Sequence, residues 1–254
     1  MKGEILEMNY ITKVRKTSPL IYNIMNIVAA NFSANGLIAI GASPSISNNP
    51  KEAAEMAAKA DALVLNLGTL SEENTEAMIL AGKAANEAGV PVLLDPIAVG
   101  ATTFRTKVID DILSTVELSA ICANAGEISV LGGVLDKTTS PDNALEENDP
   151  DIAKEVAKKY NTVVIATGET DVITDGDRTE LCQHGHPMLQ NITASGCVLT
   201  SVIAAFISVA EGHHFEASIE AVSGYGLAAE KAMEKAEGPG TFIPAFLDQL
   251  YFLK

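Results

Sequence analysis

Short apolar runs rich in β-branched residues alternate along this chain with Ala-rich stretches of helical character, and that alternation limits the fold more than any other feature. Ala62–Leu67 reads as a buried strand, and Ser71 as the N-cap of a helix with Glu72 and Glu73 in its first turn, running to Gly89. Val90–Leu94 reads as a strand closing at Asp95-Pro96, and a helix follows through Lys107–Leu113. Leu118–Cys122 and Thr162–Ala166 read as strands, with Asp151–Tyr160 helical between them. Short strands at Asp171–Thr174 and Thr179–Gln183 flank the turn Asp175-Gly176-Asp177. The last third is helical over Gly196–Glu211, His214–Glu237 and Phe242–Phe252. Repeated strand–helix–strand units predict a three-layer α/β/α fold around a mostly parallel sheet with right-handed crossovers. No internal repeat is visible. The stretch Gly132–Pro150 reads as a surface insertion within one domain spanning residues 1–254.

Composition agrees. Hydrophobic residues make up 47% of the 254, yet aromatics only 5% and Trp is absent, so the core is aliphatic, as suits strands covered on both faces. With 17 Lys and Arg against 33 Asp and Glu, the formal charge is -16. Such a surface repels phosphate backbones and argues against nucleic acid as a partner. Any phosphate site must then rely on backbone N–H groups, metal ions and a few local cations. Cys122, Cys182 and Cys197 are scattered without a C-x-x-C pair, which argues against a disulfide framework or a zinc site. Met1–Tyr10 holds three charges and no apolar segment, and Ser201–Ala210 is too short to cross a bilayer, so the expected location is the cytoplasm.

A polar or acidic residue follows each principal strand: Asn66 and Gly68, then Asp95, then Asn124 and Glu127, then Thr167 and Gly168. Turn chemistry accounts for any one of these, since Asp-Pro and Asn-Ala-Gly are ordinary chain stops. Four together point to a ligand site, because the carboxyl ends of parallel strands frame the crevice of such folds. A second signal is Thr193-Ala194-Ser195-Gly196-Cys197-Val198-Leu199-Thr200, where small residues open an apolar helix. The unpaired N–H groups of a helix start favour an anion, and Gly196 allows close approach. Simple capping explains this stretch equally well. Cys197, in the first turn, would have a lowered pKa there and could take a proton or shield a developing charge, but taken alone it reads as a small apolar residue. His184 and His186 lack a third ligand and read as solvent-facing or packing residues, His213-His214 as a surface pair, and the acidic run at 146–149 as a solvated loop. No G-x-G-x-x-G follows an early strand, which sets a dinucleotide-binding dehydrogenase aside.

Seven blocks stand in one order along essentially the whole chain: Pro19-Leu20-Ile21 with Asn26; Gly41-Ala42-Ser43-Pro44; Asp95-Pro96 with Gly100-Ala101-Thr102; Asn124-Ala125-Gly126-Glu127; Thr167-Gly168-Glu169; Gly196-Cys197; and Gly238-Pro239-Gly240-Thr241-Phe242. In these the chain resembles the hydroxyethylthiazole kinases, which have a ribokinase-like fold. The resemblance implies an enzyme of thiamine biosynthesis or salvage that moves the terminal phosphate of ATP to the hydroxyethyl alcohol of 4-methyl-5-(2-hydroxyethyl)thiazole. It implies Mg²⁺ held by Asp95 and Glu127, directly or through water, and ATP contacts at Thr167 and in the segment Cys122 to Asn124. Ala194 to Cys197 would form the anion hole, with Gly196 and Cys197 the catalytic pair. Asn26, Ile46 and the small residue Ala194 would line the thiazole pocket, placed between subunits of a homotrimer. The chain departs from the family pattern in having Cys122 in place of an Arg, Ala194 in place of a Gly, and Tyr22, Met25 and Ile46 in place of a His, a Thr and a Met. Two other readings accommodate those departures: a sibling kinase for another hydroxymethyl heterocycle of pyridoxine or pyrimidine type, and a relative that binds without turnover.

Overall fold

The computed structural model describes residues 9–135 and 147–254. Eight strands form one sheet: β1 Leu20–Ile24, β2 Ser43–Ile46, β3 Ala62–Asn66, β4 Val92–Asp95, β5 Ala120–Asn124, β6 Val163–Thr167, β7 Asp171–Thr174 and β8 Thr179–Cys182. Their order is β2-β1-β3-β4-β5-β6-β7-β8, parallel from β2 to β6, with β7 antiparallel to both β6 and β8. The helices are α1 Tyr10–Thr17, α2 Ile27–Ile40, α3 Pro50–Ala57, α4 Glu72–Ala88, α5 Thr103–Thr115, α6 Ala125–Gly132, α7 Pro150–Tyr160, α8 Ser195–Ser208, α9 His214–Met233 and α10 Pro239–Tyr251. A 3₁₀ turn, Pro187–Asn191, leads toward α8.

The period-two geometry of a strand sorts its side chains between two cores. Ile21, Val64, Leu93, Cys122 and Ile165 face one way, against α1, α2, α8, α9 and α10. Tyr22, Leu63, Leu65, Leu94, Ile121 and Val164 face the other way, against α3 to α7. Those two aliphatic cores, one on each side, make the sheet the middle of three layers. A third, small cluster sits at the carboxyl end of the sheet: Met25, Ala29 and Cys197, with Ile46, Ile97 and Ala194 against it.

Local chemistry sets the helix ends. Ser71 caps α4 by accepting from the Asn74 N–H, and Gly89 closes it at φ 72. The expected ends shift elsewhere: α8 stops at Ser208 and α9 at Met233, whereas α10 starts at Pro239, a favoured first helical residue. Of the stretch Gly132–Pro150, residues 136–146 lie outside the described residues. Its acidic tail is not merely a solvated loop, because Asp149 caps α7 and Asn148 donates to the Ala166 and Thr170 carbonyls at 2.8 and 2.9 Å. His184 meets Glu230 at 3.2 Å, His186 caps the 3₁₀ turn, and His214 is half-buried at the start of α9. No described helix is long and apolar enough to cross a membrane.

Candidate active site

Asp95 is the last residue of β4 and pairs in register with Asn66, the last of β3. Asn66 donates Nδ2 to Asp95 Oδ2 at 2.6 Å. Its Oδ1 takes Asn26 Nδ2 at 2.8 Å and the Gly68 N–H at 3.2 Å. Asn26 is the N-cap of α2, accepting from the Ala29 N–H at 2.9 Å, and its Nδ2 also lies 3.6 Å from Cys197 Sγ. Three neighbouring tips are thereby tied to the first turn of α8. Gly68 has to be glycine here, since a Cβ would sit 2.6 Å from Asn26.

Glu127 arrives by helix capping. Asn124, at the tip of β5, accepts from the Glu127 N–H at 2.9 Å, and Glu127 Oε2 returns to the Asn124 N–H at 3.0 Å. The Asn-Ala-Gly-Glu spacing thus folds an acidic side chain back over the strand end. Its other oxygen, Oε1, accepts from the Ala98 N–H at 2.8 Å. Asp95 and Glu127 are each only 6% exposed. Burial, with the Glu127 charge second, lifts the Asp95 carboxyl to about 8, against hydrogen bonds from Asn66, Cys197 and Thr200 that pull it down.

The start of α8 has no side-chain cap. Ala194 takes up the left-handed conformation at φ 68, and Val198 makes the first helical bond, to the Ala194 carbonyl at 3.0 Å. The N–H groups of Ser195, Gly196 and Cys197 therefore precede the first helical bond and have no partner within the helix. Ser195 turns its hydroxyl to the Leu189 carbonyl, and Tyr225 donates to the Ser195 carbonyl at 2.7 Å, fixing the turn from behind. Gly196 does not have a left-handed φ, and a Cβ built there meets no atom within 4 Å beyond its own helix backbone. Neither conformation nor packing requires a glycine at this point. An open, uncapped helix start beside two buried acids suits an anion that carries its own cation.

The expected site residues divide on inspection. Asp95, Glu127, Asn26, Gly196 and Cys197 converge at the carboxyl end of the sheet, with Ile46 and Ala194 in the small apolar cluster around Cys197. Asn124 and Thr167 pair in register at the tips of β5 and β6. Cys122 needs correction as a nucleotide contact: it is set back two residues from that tip, with its thiol in the core beneath α8. Tyr22 is likewise a core residue, its hydroxyl on the Ser47 carbonyl at 3.0 Å. The lowered pKa expected of Cys197 is also overturned. Burial and the nearby Asp95 push this thiol to about 12, outweighing the helix start. Two residues escaped notice as side chains of the site. Asn66 was visible only as a strand-end polar group, and Arg105, half-buried on α5, bonds solely to backbone carbonyls, which leave no trace in a sequence pattern.

The donors fit Mg²⁺. Among the described residues no group of three acidic, His or Cys side chains could enclose a metal. Mg²⁺, however, is commonly held by one or two carboxylates together with water and phosphate oxygens. Both Glu127 oxygens already accept N–H bonds, which favours a water-mediated role, whereas Asp95 keeps Oδ1 clear of the Asn66 amide.

The order of the strands, with a hairpin at one edge and helices on both faces, makes this an α/β protein of ribokinase-like fold. A ribokinase-like superfamily protein of Enterococcus faecalis V583 matches with a TM-score of 0.66 over 100% of this chain and 91% of its own, at 11% identity, a likeness of fold alone. The chain belongs to the hydroxyethylthiazole kinase family, whose model matches residues 11–254. Hydroxyethylthiazole kinase 2 of Oceanobacillus iheyensis is 63% identical over 243 residues, covering 96% of this chain and 93% of that protein. The structure of a hydroxyethylthiazole kinase from Pyrococcus horikoshii OT3 superposes with a TM-score of 0.88 at 38% identity, covering 97% of this chain and 93% of the other.

Proposed function

We propose that this protein transfers the terminal phosphoryl group of ATP to the hydroxyethyl oxygen of 4-methyl-5-(2-hydroxyethyl)thiazole, in thiamine biosynthesis or salvage. Membership of the family and a 63% identical relative named for this activity support the reading. The structural observation that carries it is the uncapped start of α8, open at Gly196, beside the buried carboxyls of Asp95 and Glu127.

Each residue then has a defined task. Asp95 and Glu127 would hold Mg²⁺, which when bound neutralises charge on the nucleotide phosphates. The free N–H groups at Ser195, Gly196 and Cys197 point to where the equatorial oxygens of the phosphoryl group would collect charge, which is the stabilisation such a transfer needs. Thr167 and Asn124, at the tips of β6 and β5, face the nucleotide. Met25, Ile46, Ile97 and Ala194 supply an apolar wall for the heterocycle, with Asn26, its amide tied to Ala29, Asn66 and Cys197, held at the edge. Cys197 keeps its proton near neutral pH and shields the reacting oxygen rather than acting as a base. The alcohol oxygen forms the new P–O bond, the bond to the ADP oxygen breaks, and the alcohol proton is released to solvent.

Next to Asn26 at the start of α2, Ile27 at 81% and Val28 at 59% are exposed apolar residues and support assembly as a homotrimer with the pocket closed by a neighbour. The absence of a membrane-crossing helix among the described residues is consistent with a place in the cytoplasm. The test is direct. Protein, thiazole alcohol, ATP and Mg²⁺ should yield ADP and the phosphate ester in equal amounts, with pyridoxine and a hydroxymethylpyrimidine as competing alcohols. No ester at high enzyme concentration overturns the reading. A higher kcat/KM for either competitor moves the substrate to the sibling class.

A further inference from the structure

Arg105 projects from the first turns of α5 into the loops that follow β3 and β4. Its Nη1 donates to the Leu67 and Ile97 carbonyls at 2.5 and 2.8 Å, and its Nη2 to the Gly68 carbonyl at 2.6 Å. Leu67 and Gly68 leave the tip of β3 just after Asn66, while Ile97 follows Asp95 and Pro96 at the tip of β4. One guanidinium therefore clamps together the two loops whose preceding residues form the Asn66–Asp95 hydrogen bond.

The Ile97–Ala98 peptide is gripped from both ends. Its carbonyl accepts from Arg105, and its N–H donates to Glu127 Oε1 at 2.8 Å. A cation thus sits at the negative end of this peptide dipole and an anion at the positive end, so both charges hold the peptide in one orientation. Ala98 adopts φ 55, a left-handed conformation that costs a non-glycine residue roughly 1–2 kcal/mol and persists only where surroundings enforce it. The two charged side chains are that enforcement. Charge attraction by Glu127 also acts on the guanidinium, opposing the effect of its burial.

We propose that Arg105 is a positioning residue of the phosphoryl-transfer site: by bridging Leu67, Gly68 and Ile97 it fixes the peptide that holds Glu127 and the spacing of the β3 and β4 tips that holds Asp95. The inference rests on the proposed function for what the two acids do, but the clamp itself can be tested without turnover. Lysine keeps the charge and cannot span three carbonyls; alanine removes both and leaves room for a guanidinium ion from solution.

The experiment uses the full-length protein as wild type, Arg105→Lys, Arg105→Ala, and Lys107→Ala as an exposed control on the same helix. The first readout is hydrogen exchange at the Ala98 and Gly68 amides in the metal-free protein. Faster exchange is expected in both Arg105 variants, reversed in Arg105→Ala by millimolar guanidinium but not by ammonium. The second readout is the Mg²⁺ concentration that half-saturates turnover, expected to rise about 10- to 100-fold in both variants with KM for the alcohol little changed, as for other residues that orient metal ligands. Unchanged exchange and an unchanged Mg²⁺ requirement overturn the proposal. So does a fall in activity that only tracks the folded fraction, with no rescue. If wild type phosphorylates no thiazole alcohol, the proposed function fails, while the exchange comparison still decides the role of Arg105.

Discussion

The side-chain amide of Asn66 has only one orientation open to it, and that orientation commits Asp95 to accept. Asn66 Oδ1 is taken by N–H donors from Asn26 and Gly68, so Nδ2 must face Asp95 Oδ2, 2.6 Å away. The carboxyl is left with one oxygen free of that amide and a fixed direction. Replacing Asn66 with Ala removes a charge-assisted hydrogen bond and strands three N–H donors, two from Asn26 and one from Gly68. The loss should cost about 1.5–3 kcal/mol of stability where the carboxyl is ionised, by the usual range for hydrogen bonds to charged groups. Urea unfolding at pH 8.5 or so checks this. A change within the error of the extrapolation would mean that the tie contributes nothing.

Cys197 supplies a second expectation. A thiol raised to about 12 by burial and by Asp95 is not a proton acceptor near neutral pH. Removing a working general base typically costs 10²–10⁴ in rate, whereas removing a small apolar neighbour costs far less. Cys197→Ala should therefore keep kcat within about tenfold of wild type and leave in place the ascending limb of the pH–rate profile, where the rate rises with pH. Loss of that limb together with a thousandfold fall in kcat would restore the thiol as a base.

Ala194 sits at φ 68, a conformation that favours glycine. The left-handed conformation costs alanine about 1–2 kcal/mol, and glycine escapes it at the expense of a looser unfolded chain. Ala194→Gly should leave the protein slightly more stable, by up to about 1 kcal/mol, because the second effect recovers only part of the first. The methyl group also packs on the apolar cluster around Cys197 and Met25, so the KM for the heterocycle should rise while that for ATP stays put. Thermal unfolding and steady-state kinetics of the one variant test both halves, and a lower Tm would show that the packing outweighs the strain.

Asp171 opens β7 and accepts from the Gly168 N–H at 2.9 Å, beside the tip of β6. Burial raises its carboxyl from the ordinary 3.8 to about 6, although the Gly168 bond opposes the shift. Between those values the folded state holds a proton that the unfolded chain has released. Stability therefore falls as pH rises through the window from about 4 to about 6, and is level above it. Asp171→Asn keeps an acceptor for Gly168 and removes the charge. Its Tm should match wild type near pH 4 and exceed it at pH 7.5 or so. The opposite sign, a variant weaker only at the higher pH, would show that the ionised carboxyl stabilises the fold.

How far such chemistry can be read ahead depends on whether its partners are side chains or backbone. The strands β3 to β6 were legible because they are apolar runs between turn signals, and β7 and β8 because they flank the Asp175-Gly176-Asp177 turn. β1 was not, since Asn23 interrupts it; that amide is satisfied in the core by Ser201 Oγ and the Ile21 carbonyl. β2 is an edge strand reading Ser-Pro-Ser-Ile, where a proline is tolerated because one side of the strand has no ladder to complete. α2 is apolar around most of its circumference and so lacks a helical period. Within the site, Asp95 and Glu127 were legible from their place after strands, whereas Cys122 was misplaced because strand parity, not motif position, sends its side chain into the core. Arg105 left no signal because all three of its acceptors are carbonyls.

Gly196 separates function from folding most cleanly. Its φ lies outside the left-handed region and a Cβ at this position would meet no atom within 4 Å beyond its own helix backbone, so the free protein gains nothing from a glycine there. Gly196→Ala should leave the fold intact and raise stability slightly, by about 0.4–1 kcal/mol, since alanine restricts the unfolded chain. The added methyl nevertheless occupies the space over the helix start where the phosphoryl oxygens must approach the N–H groups. A displacement of about 1 Å at such a contact is enough to cost on the order of a hundredfold in rate. The expected variant is thus one with an equal or higher Tm and a kcat at least a hundredfold lower. A variant that folds as well and turns over as fast as wild type would remove the anion hole from this helix, and with it the main structural support for phosphoryl transfer here.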